Sequence, residues 1–162
     1  MRQWKDRPLE VQTLFNPAFC GRLILSTITE YQNKSKRDFP FPLVYLILPL
    51  VIPSTIRSEI SSRTQLLNWV QEHQELIYNL GKRARDFVEI TNETIEFLMQ
   101  AGLLKLTDMG DLSRDEHQGK LSINQFIDDE VKDCLRKAEH VGRWFAEAGK
   151  TETIYISLGV RP

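Results

Sequence analysis

The sequence predicts a mainly α-helical domain with one small β-hairpin: a winged-helix-like unit extended by further helices on its N- and C-terminal sides. Three observations carry that expectation. Apolar residues recur at helical spacing over 19–31 and again over 131–148. A helical pattern in 91–101 stops at Gly102 and passes straight into Leu103-Leu104-Lys105-Leu106, a short strand. The strand Lys120-Leu121-Ser122-Ile123 then returns after a polar loop, 108–119, that holds two glycines.

Taken in order, Asp6-Arg7-Pro8-Leu9-Glu10 opens a short helix carrying Val11, Leu14 and Phe15. Asn16-Pro17 repeats the start signal, with Asn as N-cap and Pro at the first helical position. The segment runs to about Lys34 with Phe19, Leu23, Ile24, Thr27, Ile28 and Tyr31 on one face. The run 43–52 is continuously apolar, so periodicity cannot separate a strand from a kinked helix; a buried helix is favoured. Amphipathic pieces follow at 64–73 and 74–88, the latter a single helix leading into the winged unit. Thr91 reads as an N-cap for the helix that Gly102 ends. From Asp128 a last helix carries Val131, Leu135, Ala138, Val141, Phe145 and Ala148, with Gly149 as its stop. Residues 153–160 are rich in strand formers and read as a terminal strand. The whole, 1–162, is one domain: an N-terminal helical part (1–73), the winged-helix-like unit (74–123) and a C-terminal helix with a strand (124–162).

Bulk properties narrow the function. With 162 residues, 41% hydrophobic and 27% charged, the chain supports one core, and its formal charge of -1 lacks the basic excess of a protein that lives by gripping phosphates. The apolar run 43–52 is about half the ~20 residues a spanning helix needs, and no apolar stretch follows Met1-Arg2-Gln3-Trp4-Lys5-Asp6, so neither a membrane span nor a secretory signal is expected. Two cysteines, Cys20 and Cys134, suggest no disulfide framework and fit a reducing, cytoplasmic setting.

Chemical motifs are sparse. His73, His117 and His140 have no metal-binding spacing and read as three solvent-facing side chains. Cys20, just inside a helix start, has two readings: a thiol activated by the helix dipole or, preferred, a small buried side chain. Gly81-Lys82 lacks the earlier glycine of a phosphate-binding loop. Asp128-Asp129-Glu130 offers its carboxylates one environment, where acid/base work needs two. No catalytic residue, metal or cofactor is expected.

Nor does the winged unit read as a DNA reader. Its groove-entering helix holds Glu93 and Glu96 without Lys or Arg, and the wing sets Asp108, Asp111, Asp115 and Glu116 against Arg114 and Lys120. Basic residues gather elsewhere. Lys82, Arg83 and Arg85, with Arg136, Lys137, His140 and Arg143, form either solvated helix faces or a phosphate-binding strip. Trp144 beside Arg143 is either an interface anchor or a core residue.

The block Leu14-Phe15-Asn16-Pro17-Ala18-Phe19-Cys20-Gly21, the Leu48-Pro49-Leu50 and Leu67-Asn68-Trp69 pieces, Val141-Gly142-Arg143-Trp144-Phe145 and Gly159-Val160-Arg161-Pro162 resemble the middle component of three-component ABC systems, cassettes similar to Lamassu-type anti-phage defence. The resemblance implies an accessory subunit in a hetero-oligomer with an SMC-like ABC ATPase and a nuclease-like effector, bridging the two and meeting DNA through the complex. On this basis Arg7, Glu10, Phe15, Asn16, Phe19, Arg143, Trp144 and Arg161 are candidate partner contacts, and Lys82, Arg83, Arg85, Arg136 and Lys137 candidate nucleic-acid contacts. A winged-helix DNA-binding regulator is the alternative.

Overall fold

The computed structural model describes residues 16–114 and 129–161, a mainly helical fold with a two-stranded antiparallel hairpin. The expected helix before Asn16, with Arg7, Glu10 and Phe15, lies outside these residues, as do the strand expected at 120–123 and His117.

Helix α1 (Pro17–Ser35) starts as the sequence dictates. The Asn16 Oδ1 accepts the Ala18 N–H at 2.8 Å, and Pro17, which has no N–H to satisfy, occupies the first turn. It ends at Lys36 in the left-handed region, whose N–H caps the Gln32 carbonyl. The expected buried helix over 43–52 is present in two parts: a 3-10 segment, Phe41–Leu46, running directly into α2 (Ile47–Val51). The change of helix type falls just before Pro49, whose missing N–H sits in the first turn of α2. Leu43, Val44, Leu46, Ile47, Leu48, Leu50 and Val51 are all fully buried.

Helix α3 (Ser54–Arg57) brings in a group that sequence patterning did not single out. The Arg57 guanidinium is buried and donates to the Val51 and Ile52 carbonyls at 3.1 and 2.7 Å, capping the end of α2. It also meets Glu130 at 3.1 Å and Asp133 at 3.2 Å on the long C-terminal helix. After α4 (Leu66–Glu72), the helix expected at 74–88 divides into α5 (Gln74–Ile77) and α6 (Leu80–Asp86). The break falls at Tyr78 and Asn79, and Ile77, Leu80 and Ala84 on its two sides are buried at the spacing of a single helix face.

Helix α7 (Val88–Gln100) begins a turn before the expected cap. Thr91 is therefore not an N-cap; it is an interior residue with no exposed surface, because Phe87 at the junction already joins α6 to α7 in helical geometry. Gly102, at φ 73°, ends it as expected. The hairpin is tighter than the sequence suggested. Strand β1 (Leu104–Leu106) pairs with β2 (Leu112–Arg114), Leu104 opposite Arg114 and Leu106 opposite Leu112. The returning strand is thus at 112–114, inside the segment read as polar loop. Leu112 is the reason: it is fully buried and exchanges two backbone hydrogen bonds with Phe39, so one apolar residue in a polar stretch fixes the register. Two helices feeding a short hairpin make the winged-helix-like unit.

Helix α8 (Asp129–Ala148) carries the expected apolar stripe and stops at Gly149, φ 87°. The terminal strand expected at 153–160 is instead a helix, α9 (Thr151–Ser157). Ile154, Tyr155 and Leu158 are its buried residues, a spacing of one and three that belongs to a helix, and packing overrides the strand preference of isoleucine and tyrosine. Tyr155 further anchors it, donating its hydroxyl hydrogen to the Pro42 carbonyl.

The longest helices, α1 and α8, form the main packing pair. Gly142 is the closest point: a Cβ there would lie 2.3 Å from the Thr27 carbonyl oxygen. The Thr27 hydroxyl lies 2.9 Å from the Ala138 carbonyl oxygen across the same contact. At the rims, Lys34 pairs with Glu147 at 2.7 Å and Arg143 with Glu30 at 3.2 Å. Core residues from both described stretches, 16–114 and 129–161, join one cluster.

Candidate interaction surface

The structure separates the sequence-selected residues into groups with different roles. Trp144 is in the core, 1% exposed, its indole N–H donating to the Thr64 carbonyl at 2.7 Å and its ring 5.1 Å from Trp69. As a partner anchor it is corrected to a core residue, since its surface is already consumed within the chain. His140, beside it, is also buried, and His73 stacks on Trp69 at 4.9 Å, so the expectation of solvent-facing histidines fails for both. Burial first, and the Arg143 charge second, lower the His140 pKa. Arg143 sits between Glu30, its ion-pair partner, and Glu139, whose carboxyl is pushed up by burial and then by Glu30. Asn16 is a cap and Phe19 packs partly against the core.

Cys20 follows the preferred reading: the thiol is fully buried and its pKa is raised to about 12, chiefly by desolvation and then by Cys134. An activated thiolate would require the opposite shift. Among the described residues no group of three or more His, Cys, Asp or Glu is placed to hold a metal ion, and no helix is long and apolar enough to cross a membrane.

The basic residues divide as well. Arg136 pairs with Asp133 at 3.6 Å, and the Lys137 ammonium donates to the Ile60 carbonyl. On the wing, Arg114 turns inward: its guanidinium donates to the Thr29 hydroxyl and its backbone N–H to the Gln32 side chain, while Asp108 in the turn is exposed. The polar face of α7 keeps Glu89 and Glu96 exposed, so the usual groove-reading surface carries negative charge.

Lys82 and Arg85 have a different fate. They lie three residues apart on α6 and form one wall of a groove of about 890 Å3; Arg161, after α9, lies on another. Leu46, Ala84, Val88 and Val160 contribute apolar surface, with the rings of Tyr45, Tyr78 and Tyr155. Tyr45 donates to the Asn92 side chain at 2.6 Å and the buried Tyr155 to the Pro42 carbonyl, so both hydroxyls are engaged within the chain. Burial raises both phenol pKa values, that of Tyr155 to about 12. The groove thus unites residues that the sequence assigned to separate roles: Lys82 and Arg85 as nucleic-acid contacts, Arg161 as a partner contact. Arg83 is not among its lining residues.

A family model, that of middle component 3 of ABC-three component (ABC-3C) systems, matches residues 4–162. The chain belongs to this family. Comparison with curated proteins and with solved structures returned no match. A middle component is an accessory part of a multi-component ABC system, and the blocks that carried the resemblance now have physical roles. In this middle component, Asn16-Pro17 starts α1, Cys20 and Gly21 face inward, and Gly21 meets the Leu98 side chain of α7. The second block places Gly142 at the α1–α8 contact, with Trp144 and Phe145 in the core. Both blocks, where described, are packing determinants of the core.

Proposed function

We propose that this middle component is the non-catalytic bridging subunit of its system: it joins an SMC-like ABC ATPase to a nuclease-like effector in the bacterial cytoplasm, in anti-phage defence. The family match over nearly the whole chain carries the reading, because it makes the chain one component among several. Its own chemistry supports a binding role. The thiol that stood as a possible nucleophile is buried and held protonated, and the acidic face of α7 repels a nucleic-acid backbone while leaving the winged unit available to proteins.

Co-expression of the three components with a tag on the ATPase tests it. All three should co-purify, and omitting this subunit should lose the effector from the ATPase. An ATPase that retains the effector without this subunit refutes bridging; a subunit that purifies alone refutes membership of the complex. Tight, salt-sensitive duplex binding by the isolated chain would favour a DNA-binding regulator instead.

A further inference from the structure

We infer that the groove lined by α6, the 3-10 segment and the residues after α9 docks an acidic segment of a partner protein, one that carries carboxylates beside at least one apolar side chain. This rests on the bridging reading and gives one partner a place and a chemistry.

Three observations carry it. First, the groove has Lys82, Arg85 and Arg161 and no Asp or Glu among its described lining residues. Second, all three cations are exposed, and none forms an ion pair with another described residue, whereas Lys34, Arg57, Arg136 and Arg143 each have an acidic neighbour. Three like charges in one cleft repel one another and call for a counter-charge that no described residue supplies. Third, the groove also offers the apolar side chain of Val88 and the ring of Tyr78, the latter at 87% exposure. An apolar surface rimmed by unpaired cations complements a segment with the inverse pattern.

A nucleic acid fits less well. Strands are gripped by cations that follow the backbone, but here the positive residues sit in one cleft. Neither Arg136 nor Lys137 lines it; the first pairs with Asp133 and the second donates to the Ile60 carbonyl. The next helix, α7, carries Glu89, Glu93 and Glu96.

The test uses the full chain and a short fluorescein-labelled peptide of alternating Glu and Leu, with its Gln/Leu twin as control, read by fluorescence anisotropy. The acidic peptide should bind, the neutral twin at least about tenfold more weakly, and added salt should weaken the acidic peptide only. Lys82→Glu/Arg85→Glu/Arg161→Glu should lose binding about tenfold or more, while Lys105→Glu/Lys132→Glu, cations outside the groove, should keep it. Should the triple reversal melt below the parent, the Gln versions of the same three residues replace it. Equal binding of the two peptides, no binding of either, or equal loss in the outside variant overturns the inference. So does a single-stranded oligonucleotide that binds more tightly than the peptide through Lys82, Arg85 and Arg161. The co-purification experiment decides the bridging reading separately: if the complex forms and survives the triple reversal, bridging stands and the groove does not serve it.

Discussion

Replacing Gly142 by Ala tests the closest contact in the fold. The new Cβ would lie 2.3 Å from the Thr27 carbonyl oxygen and 3.1 Å from the Thr27 carbonyl carbon and the Glu30 Cβ. Because the obstacle is backbone, it cannot swing aside as a side chain would, and α1 and α8 must part by about 1 Å in a close-packed interior. Overpacking of this kind costs about 1–3 kcal/mol. Separation also loosens the contact between the Thr27 hydroxyl and the Ala138 carbonyl, worth about 1 kcal/mol. Against this, Ala favours a helix interior over Gly by about 1 kcal/mol. The net expectation is a loss of about 1–3 kcal/mol, or roughly 2–12 °C in Tm for a chain of this size. Thermal melting of the isolated subunit reads it. Gly81→Ala is the control: its Cβ would meet only the Gly159 carbonyl, at an ordinary 3.7 Å, so it should leave Tm unchanged or raise it. A Gly142→Ala protein as stable as the parent would mean that the helices do not approach as described.

Trp144→Ala should destabilise the isolated subunit by about 3–5 kcal/mol through loss of a buried ring; an unchanged melt with weakened complex formation would return Trp144 to the interface. Arg57→Met should cost about 2–3 kcal/mol in the same assay, because it uncaps two buried carbonyls, takes the Arg57 cation from Glu130 and leaves Asp133 with Arg136 alone. Alkaline stability should fall. The folded-state pKa values of Cys20 and Tyr155 are both raised to about 12, from 9.0 and 10.0, so the stability their neutral forms confer is complete below those ordinary values and is lost as pH rises toward 12. Denaturant melts at pH 8 and at pH 10–11 should show the decline, at up to about 1.4 kcal/mol per pH unit for each group. On the acid side, the lowered His140 pKa makes stability fall as pH drops below about 6.5, and His140→Gln should flatten that limb.

The long elements were legible in the sequence because their signals are local. Asn16-Pro17 caps and starts α1, and glycines at 102 and 149 stop α7 and α8, by backbone chemistry that needs no partner. What escaped depends on the third dimension. The helical form of 151–157 is set by which side chains the core demands, against a locally reasonable strand, and nothing local marks the break between Ile77 and Leu80. Leu112 escaped because a single apolar residue has no periodicity, yet pairing with Phe39 makes it a strand. Arg57 escaped notice because its carbonyls lie five and six residues back and its carboxylates more than seventy ahead. The groove was half legible: the basic character of Lys82 and Arg85 was evident, but no pattern places Arg161 beside them.

The Thr27–Ala138 contact spans 111 residues of chain. At a synthesis rate of 5–20 residues per second, α1 emerges from the ribosome and waits roughly 5–20 s before the helix that covers it has been made. Through that interval Leu23, Ile24 and Ile28 have no α8 to rest on, which makes the nascent chain dependent on shielding and the slow step of folding the late arrival of its last long helix.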